Sequence, residues 1–277
     1  MKRLLSVFLS VFVGLAVAAA QPRDTLRILA IGNSFSEDSV EQYLWDLFDA
    51  AGIPVIIGNL YIGGCSLERH FRNTIVFTED YAYRKVTGGV KKTVPHVPLS
   101  FGLADEKWDY VSFQQASGLS GEYETYEPYL QALVAHVRSR VPARAVLMWH
   151  QTWAYAAESK HRDFPRYDCN QMQMYRAIVE ASRQAVSAHK FPILIPSGTA
   201  IQNARGSSLG DTFNRDGFHL EKTYGRYTAA CTWFEAISGV SVVGNPYHPS
   251  SISASVAAIC QKAAHNACQR PDAVTAF

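Results

Sequence analysis

The sequence predicts an α/β fold built on a mostly parallel sheet, and two observations carry that reading. Short apolar runs recur along the chain, each closed by a glycine or a polar turn, and stretches of helical period separate them. Strands that alternate with helices in this way form parallel sheets covered on both faces. Residues 21–277 contain neither an internal repeat nor a low-complexity linker. A single domain is therefore expected there.

Residues 1–20 stand apart from the fold. Lys2 and Arg3 supply a basic start, Leu4 to Val17 an apolar run, and Ala18, Ala19 and Ala20 a small-residue cleavage pattern. This is the layout of an export signal, with the mature chain starting near Gln21 and ending up in the periplasm or outside the cell. The apolar run is short for a bilayer span and no charged stop follows it, so no stable membrane insertion is expected after cleavage.

Leu26 to Ile31 reads as a buried strand closed by Gly32. Asp38 to Ala51 reads as one helix, capped by Asp38 with Glu41 and apolar at Val40, Leu44, Leu47 and Phe48. Ile53 to Ile57 is the next strand, and Ser66 to Phe77 the next helix. Residues 81–94 alternate around Thr87-Gly88-Gly89 and predict a hairpin, read as an insertion beside the main sheet. Strands follow at Trp108 to Phe113, Ala145 to Trp149 and Phe191 to Ile195. Helices follow at Tyr126 to Arg140, Tyr167 to His189, Lys222 to Ser238 and Ser250 to Ala267.

Composition narrows the function. The net charge is +2 with no dense basic block, so no nucleic-acid partner is expected. Aromatic residues make up 12% of the chain, and Trp and Tyr crowd residues 108–126 and 149–167. Sugar clefts use such rings, as do cores. The five cysteines, Cys65, Cys169, Cys231, Cys260 and Cys268, have no metal-ligand spacing. Neither a metal nor a cofactor is expected. On one helix Cys260 and Cys268 would stand ~12 Å apart, too far to bond. The pairing of the cysteines stays open.

Two short motifs carry chemistry. Gly32-Asn33-Ser34-Phe35-Ser36 follows the first strand and opens a helix, at the strand end where α/β proteins place ligands. Asp216-Gly217-Phe218-His219 lies near the far end of the chain. A nucleophilic serine needs an imidazole to take its proton, and the imidazole needs an acceptor to fix its tautomer. Ser34, His219 and Asp216 supply that set. No Gly-x-Ser-x-Gly surrounds Ser34, so the nucleophile elbow of α/β-hydrolases does not fit.

The arrangement resembles the SGNH hydrolases, whose serine follows the first strand and whose Asp-x-x-His closes the fold. The stretches GNSFSED, NLYIGGCSLERH, WDYVSFQQASGLSG, HQTWAY, IPSGTAIQNAR and DGFHL further resemble a family of exported bacterial proteins labelled as a domain of unknown function. The resemblance implies a flavodoxin-like three-layer sandwich and ester hydrolysis, in a setting of polysaccharide breakdown. It also implies an oxyanion hole from the Ser34 and Gly64 N–H groups, with Gly63 the lesser alternative. The usual third donor is an asparagine after the third strand. Here Gln114 and Gln115 stand instead, and Gln114 is the favoured donor.

His150, Gln151 and Trp153 leave the fourth strand on the same rim and are expected to touch substrate. Asn203 and Arg205 are expected to pin the loop that presents Asp216. The substrate expected is an esterified glycan, most simply an O-acetylated one. The alternatives are a lipase or lysophospholipase, and a carbohydrate-binding protein without turnover. The acyl group, the sugar and the oligomeric state are not legible.

Overall fold

The computed structural model describes residues 24–276. The expected export signal at residues 1–20 lies outside them. Seven strands form one sheet. They are β1 Leu26–Gly32, β2 Val55–Tyr61, β3 Tyr81–Thr87, β4 Val90–Val97, β5 Tyr110–Phe113, β6 Val146–His150 and β7 Ile193–Ile195. The spatial order is β4-β3-β2-β1-β5-β6-β7. β2, β1, β5, β6 and β7 run parallel, which is the flavodoxin-like order with its switch point between β1 and β5.

The helices are α1 Ser34–Val40, α2 Leu44–Ala50, α3 Leu67–Ile75, α4 Leu99–Asp105, α5 Tyr129–Arg138, α6 Gln171–His189, α7 Ser197–Arg205, α8 Tyr224–Ser238 and α9 Ala254–Gln269. Strand alternation divides the core between the two faces of the sheet. Leu29, Ile31, Val111, Phe113 and Trp149 pack with Leu130, Leu133 and Ala185 on one face. Ile28, Ala30, Ile57 and Met148 pack with Leu47, Phe48, Trp233 and Phe234 on the other. A third cluster, with Phe35, Trp153, Tyr155, Phe164 and Phe213, lies under the turns at the carboxyl ends of the strands. The protein is thus the expected three-layer sandwich with the SGNH hydrolase fold.

Three local expectations are corrected. The helix read at residues 38–51 is two helices, and the first starts at Ser34, capped by the Asn33 side chain. Asp38 caps nothing, because it is buried against two arginines. The hairpin at 81–94 belongs to the main sheet, since β3 pairs antiparallel with β2 and β4 extends the edge. All nine residues of α7 are buried, so it has no polar face and no amphipathic period to read. All five cysteines carry free thiols, and Cys260 and Cys268 sit on one helix.

Candidate active site

Turns after β1, β2 and β5 converge at the switch point, and the loop around Asp216 closes over them. Together they border a cavity of about 290 Å³ lined by Ser34, Gly63, Gly64, Phe218 and His219. His219 Nδ1 lies 2.7 Å from Asp216 Oδ2. Asp216 also accepts the backbone N–H groups of Phe218 and His219, at 3.2 and 2.8 Å. Burial alone would raise the Asp216 pKa, but these bonds outweigh it and hold the carboxyl below its usual range. An ionised Asp216 places the proton on Nδ1 and leaves Nε2 as the acceptor a serine requires. Ser34 and His219 share the cavity without a hydrogen bond between them, and such contacts commonly tighten only when substrate is bound.

Gly217 has φ +89, and a Cβ there would meet Ser159 Oγ at 2.9 Å. Only glycine lets the 156–159 segment close on the Asp216 turn, where Ala156 N–H donates to the Gly217 carbonyl.

The oxyanion side is built from Asn33. Its Oδ1 accepts from Phe35 N–H at 2.9 Å, and its Nδ2 donates to the Cys65 carbonyl at 3.0 Å. One side chain therefore holds the Ser34 turn and the Gly63-Gly64-Cys65 loop together. Gly64 sits in that loop at φ +62, a conformation that side chains disfavour. Among the described residues, no partner takes the Ser34 or Gly64 N–H. Both border the cavity as an oxyanion hole requires.

Behind Asn33 runs a buried chain of bonds whose direction is set at the Asn33 end by a backbone N–H and a backbone carbonyl. Because Asn33 Oδ1 already faces an N–H, Gln114 must turn its Nε2 toward it, at 2.9 Å. Gln114 Oε1 then accepts from His150 Nδ1 at 2.9 Å, and His150 Nε2 accepts from Ser197 Oγ at 3.0 Å. Burial lowers the His150 pKa to about 3, consistent with a neutral ring. Gln114 and Gln115 are thus placed otherwise than expected, and neither lines the cavity. Gln114 is engaged at both ends beneath it. Gln115 accepts from Leu67 and Ala116 N–H and donates to Thr125.

His150, Gln151 and Trp153 do not reach the cavity either. All three are buried. Gln151 binds Thr199 and the Pro271 carbonyl. Trp153 stacks on Phe35 at 4.1 Å and donates to the Phe218 carbonyl at 2.8 Å, so it braces both motifs from below. Arg205 ties Ala154 to Asn214, as expected of a residue pinning this loop, whereas Asn203 binds the chain near Ala263 and Thr275.

The strongest tie was not anticipated. Asp38, with a fully buried side chain, pairs with Arg215 and Arg226 at 3.1 and 2.6 Å. It also accepts Leu220 N–H at 2.7 Å, and so anchors the residues flanking Asp216 and His219.

The wall facing Ser34 was also missed. Tyr61, His161, Arg162 and Asp163 border the cavity. Tyr61 lies within the stretch NLYIGGCSLERH, and the signal over the other three was the Trp and Tyr content of residues 149–167. A larger cavity, about 460 Å³, opens at the opposite end beside Trp45, Asp49 and Pro54, and holds none of the triad. No group of three or more His, Cys, Asp or Glu side chains suited to a metal occurs among the described residues. No helix among them is long and apolar enough to cross a membrane.

The fold is that of the SGNH hydrolases, and the Ser34 turn and the Asp216–His219 pair lie at one end of its sheet. The chain belongs to the DUF4886 family, described as a domain of unknown function, which it matches over residues 27–267. It is similar to a DUF4886 family protein from Bacteroides uniformis ATCC 8492, with TM-score 0.90 and 54% identity over 92% of this chain and 98% of that one. It is also similar to a catalytic mutant of an acetylxylan esterase from Geobacillus stearothermophilus. There the TM-score is 0.51 and the identity 11%, over 76% of this chain and 94% of that one, a likeness of fold. No curated protein sequence matches.

Proposed function

We propose that the protein is an exported serine esterase that removes short acyl groups, foremost acetyl, from hydroxyl-rich alcohols of the saccharide kind. The observation that carries this reading is the shared cavity, where Ser34 and the Asp216–His219 pair meet unpartnered backbone N–H groups. Ser34 Oγ attacks the ester carbonyl while His219 Nε2 takes its proton. The oxyanion that forms is held by the Ser34 and Gly64 N–H groups. His219 then gives the proton to the departing alkoxide, and water repeats the sequence on the acyl-enzyme.

The cavity volume supports a short acyl group. At about 290 Å³ it sits at the small end of ligand pockets, and a lipase would need a long apolar trough. Its rim of Asn33, Ser117, His161 and Arg162 is polar. The acetylxylan esterase of similar fold is in keeping with this choice.

Acetate release from a panel of acetylated polysaccharides and from long-chain acyl esters tests the reading. Wild type should release acetate, and Ser34→Ala should lose on the order of 10⁴-fold in rate while folding normally. A Ser34→Ala protein keeping a tenth of the activity would refute the mechanism. Preference for long acyl chains would refute the substrate class.

A further inference from the structure

His161 is the one imidazole besides His219 that borders the cavity, and its bonding fixes which nitrogen bears the proton. Its Nδ1 accepts the Asp163 backbone N–H at 3.2 Å. A ring that accepts at Nδ1 carries its proton on Nε2. The Asp163 carboxylate is farther off, at 3.8 Å, and is engaged by Arg166 at 3.3 Å. Burial also favours the neutral ring. Phe218 and Tyr155 hold the ring in place, with centroids at 4.6 and 4.7 Å. Among the described residues no partner takes Nε2, and the side chain is 19% exposed. A fixed donor thus faces the cavity.

Its position identifies what it faces. In acyl transfer from an ester, the alcohol oxygen must lie within reach of the histidine that protonates it. Phe218 packs against both imidazoles, with its centroid 4.0 Å from the His219 ring and 4.6 Å from the His161 ring. His161 thus borders the cavity next to the residues that carry the histidine which protonates the alcohol. Arg162 follows it, with a side chain 90% exposed, and adds a guanidinium that only donates. Two neighbouring donors suit an alcohol that presents oxygen acceptors beyond the ester itself.

We propose that His161 Nε2–H binds a hydroxyl oxygen of the leaving alcohol, so that the site selects esters of polyhydroxylated alcohols over those of simple ones. This rests on the esterase reading above. It assigns a specificity role that neither triad nor oxyanion hole requires.

Glycerol 1-acetate and propyl acetate test it directly, since they share a chain length and differ by two hydroxyl groups. Wild type should favour the glycerol ester in kcat/KM. His161→Phe, which keeps a ring against Phe218 and Tyr155, should shrink that preference by about tenfold, the scale of one hydrogen bond. His161→Gln, which can present an N–H near the same place, should restore part of it. Near-UV circular dichroism confirms that each variant is folded. A preference unchanged in His161→Phe, or equal losses on both esters, would overturn the assignment while leaving the esterase standing. If wild type hydrolyses neither ester and a fluorophosphonate leaves Ser34 unlabelled, the esterase reading itself fails and takes this one with it.

Discussion

Asn33→Ser separates two jobs that one side chain performs. Asn33 caps α1 by accepting Phe35 N–H, and it holds the oxyanion loop by donating to the Cys65 carbonyl at 3.0 Å. Serine is a good N-cap and keeps the first role. Its side chain is too short for the second. Asn33 is 2% exposed, so the carbonyl it leaves behind is poorly placed to find water. Gln114 Nε2, which donates to Asn33 Oδ1, is stranded as well, and at about 1–3 kcal/mol for each orphaned buried group the expected loss of stability is about 2–6 kcal/mol. Release of the loop also misplaces the Gly64 N–H. Loss of one oxyanion donor typically lowers kcat by about 10²-fold or more, with KM little affected because the donor acts mainly in the transition state. The assay pairs kcat and KM with the inhibition constant of a boronic acid, whose tetrahedral adduct places an oxygen in the hole. That constant should rise in step with the fall in kcat. Asn33→Ala should cost about 1 kcal/mol more stability through the lost cap, without a further loss in kcat. If Asn33→Ser keeps kcat within threefold of wild type, or if kcat follows stability from serine to alanine, the clamp plays no part in catalysis.

Two further perturbations probe the frame. Asp38→Ala should cost about 3 kcal/mol in urea unfolding, because it leaves Arg215, Arg226 and Leu220 N–H without a buried partner. It should also lower kcat through the loosened His219 loop, and normal kcat in a destabilised protein would refute the link. The second concerns acid. Burial lowers the pKa of both His70 and His150 to about 3, so each stays neutral in the folded protein. Their unfolded counterparts protonate near pH 6.5, so the unfolded state binds more protons between about pH 6.5 and 3. Stability is therefore complete above that window and is lost as pH falls through it, by roughly 2 kcal/mol per histidine at pH 5. Urea unfolding at pH 7.5 and 5 measures the loss, and His70→Gln should remove about half of it. An unchanged slope would show that His70 is accessible to protons in the folded state.

What was legible in the sequence was local. Ser34 after a strand, and Asp216 three residues before His219, are short-range patterns whose chemistry follows from residue type and spacing. The parallel strands were legible as short apolar runs, whereas β3 and β4, which alternate and carry lysines and an arginine, were read as an insertion beside the sheet. The oxyanion side was not. Glutamine at 114 has the right chemistry for a third donor, but whether its amide faces the cavity or Asn33 depends on a rotamer set by Phe35, His150 and Ser197. The same holds for His150, Gln151 and Trp153. A strand-end position predicts the rim, yet here the segment turns inward and buries all three. Asp38 misled for a related reason. A carboxylate at the start of an apolar period reads as a helix cap, and nothing local announces that Arg215 and Arg226, far along the chain, will bury it.

The frame that results is organised around α1, a helix of seven residues. Its first residue is the proposed nucleophile Ser34, its N-cap Asn33 holds the Gly63-Gly64-Cys65 loop, and Asp38 holds the loop that carries Asp216 and His219. Phe35, between them, stacks on Trp153, which donates to the carbonyl of Phe218. Three separate turns are thereby positioned relative to one short element rather than relative to one another. Acyl transfer tolerates displacements of well under an ångström among nucleophile, base and donors. Relaxation in the outer loops would move each part independently if each were anchored to its own strand. Anchoring all of them to α1 makes those errors common to every part, and a common displacement leaves the relative geometry unchanged. The His161 segment makes no hydrogen bond to α1 among the described residues. It is fastened instead to the Asp216 turn through Ala156 N–H and Gly217. The segment proposed to meet the alcohol can therefore vary in sequence and conformation while α1 keeps Ser34, the Gly63-Gly64-Cys65 loop and the Asp216 loop in register.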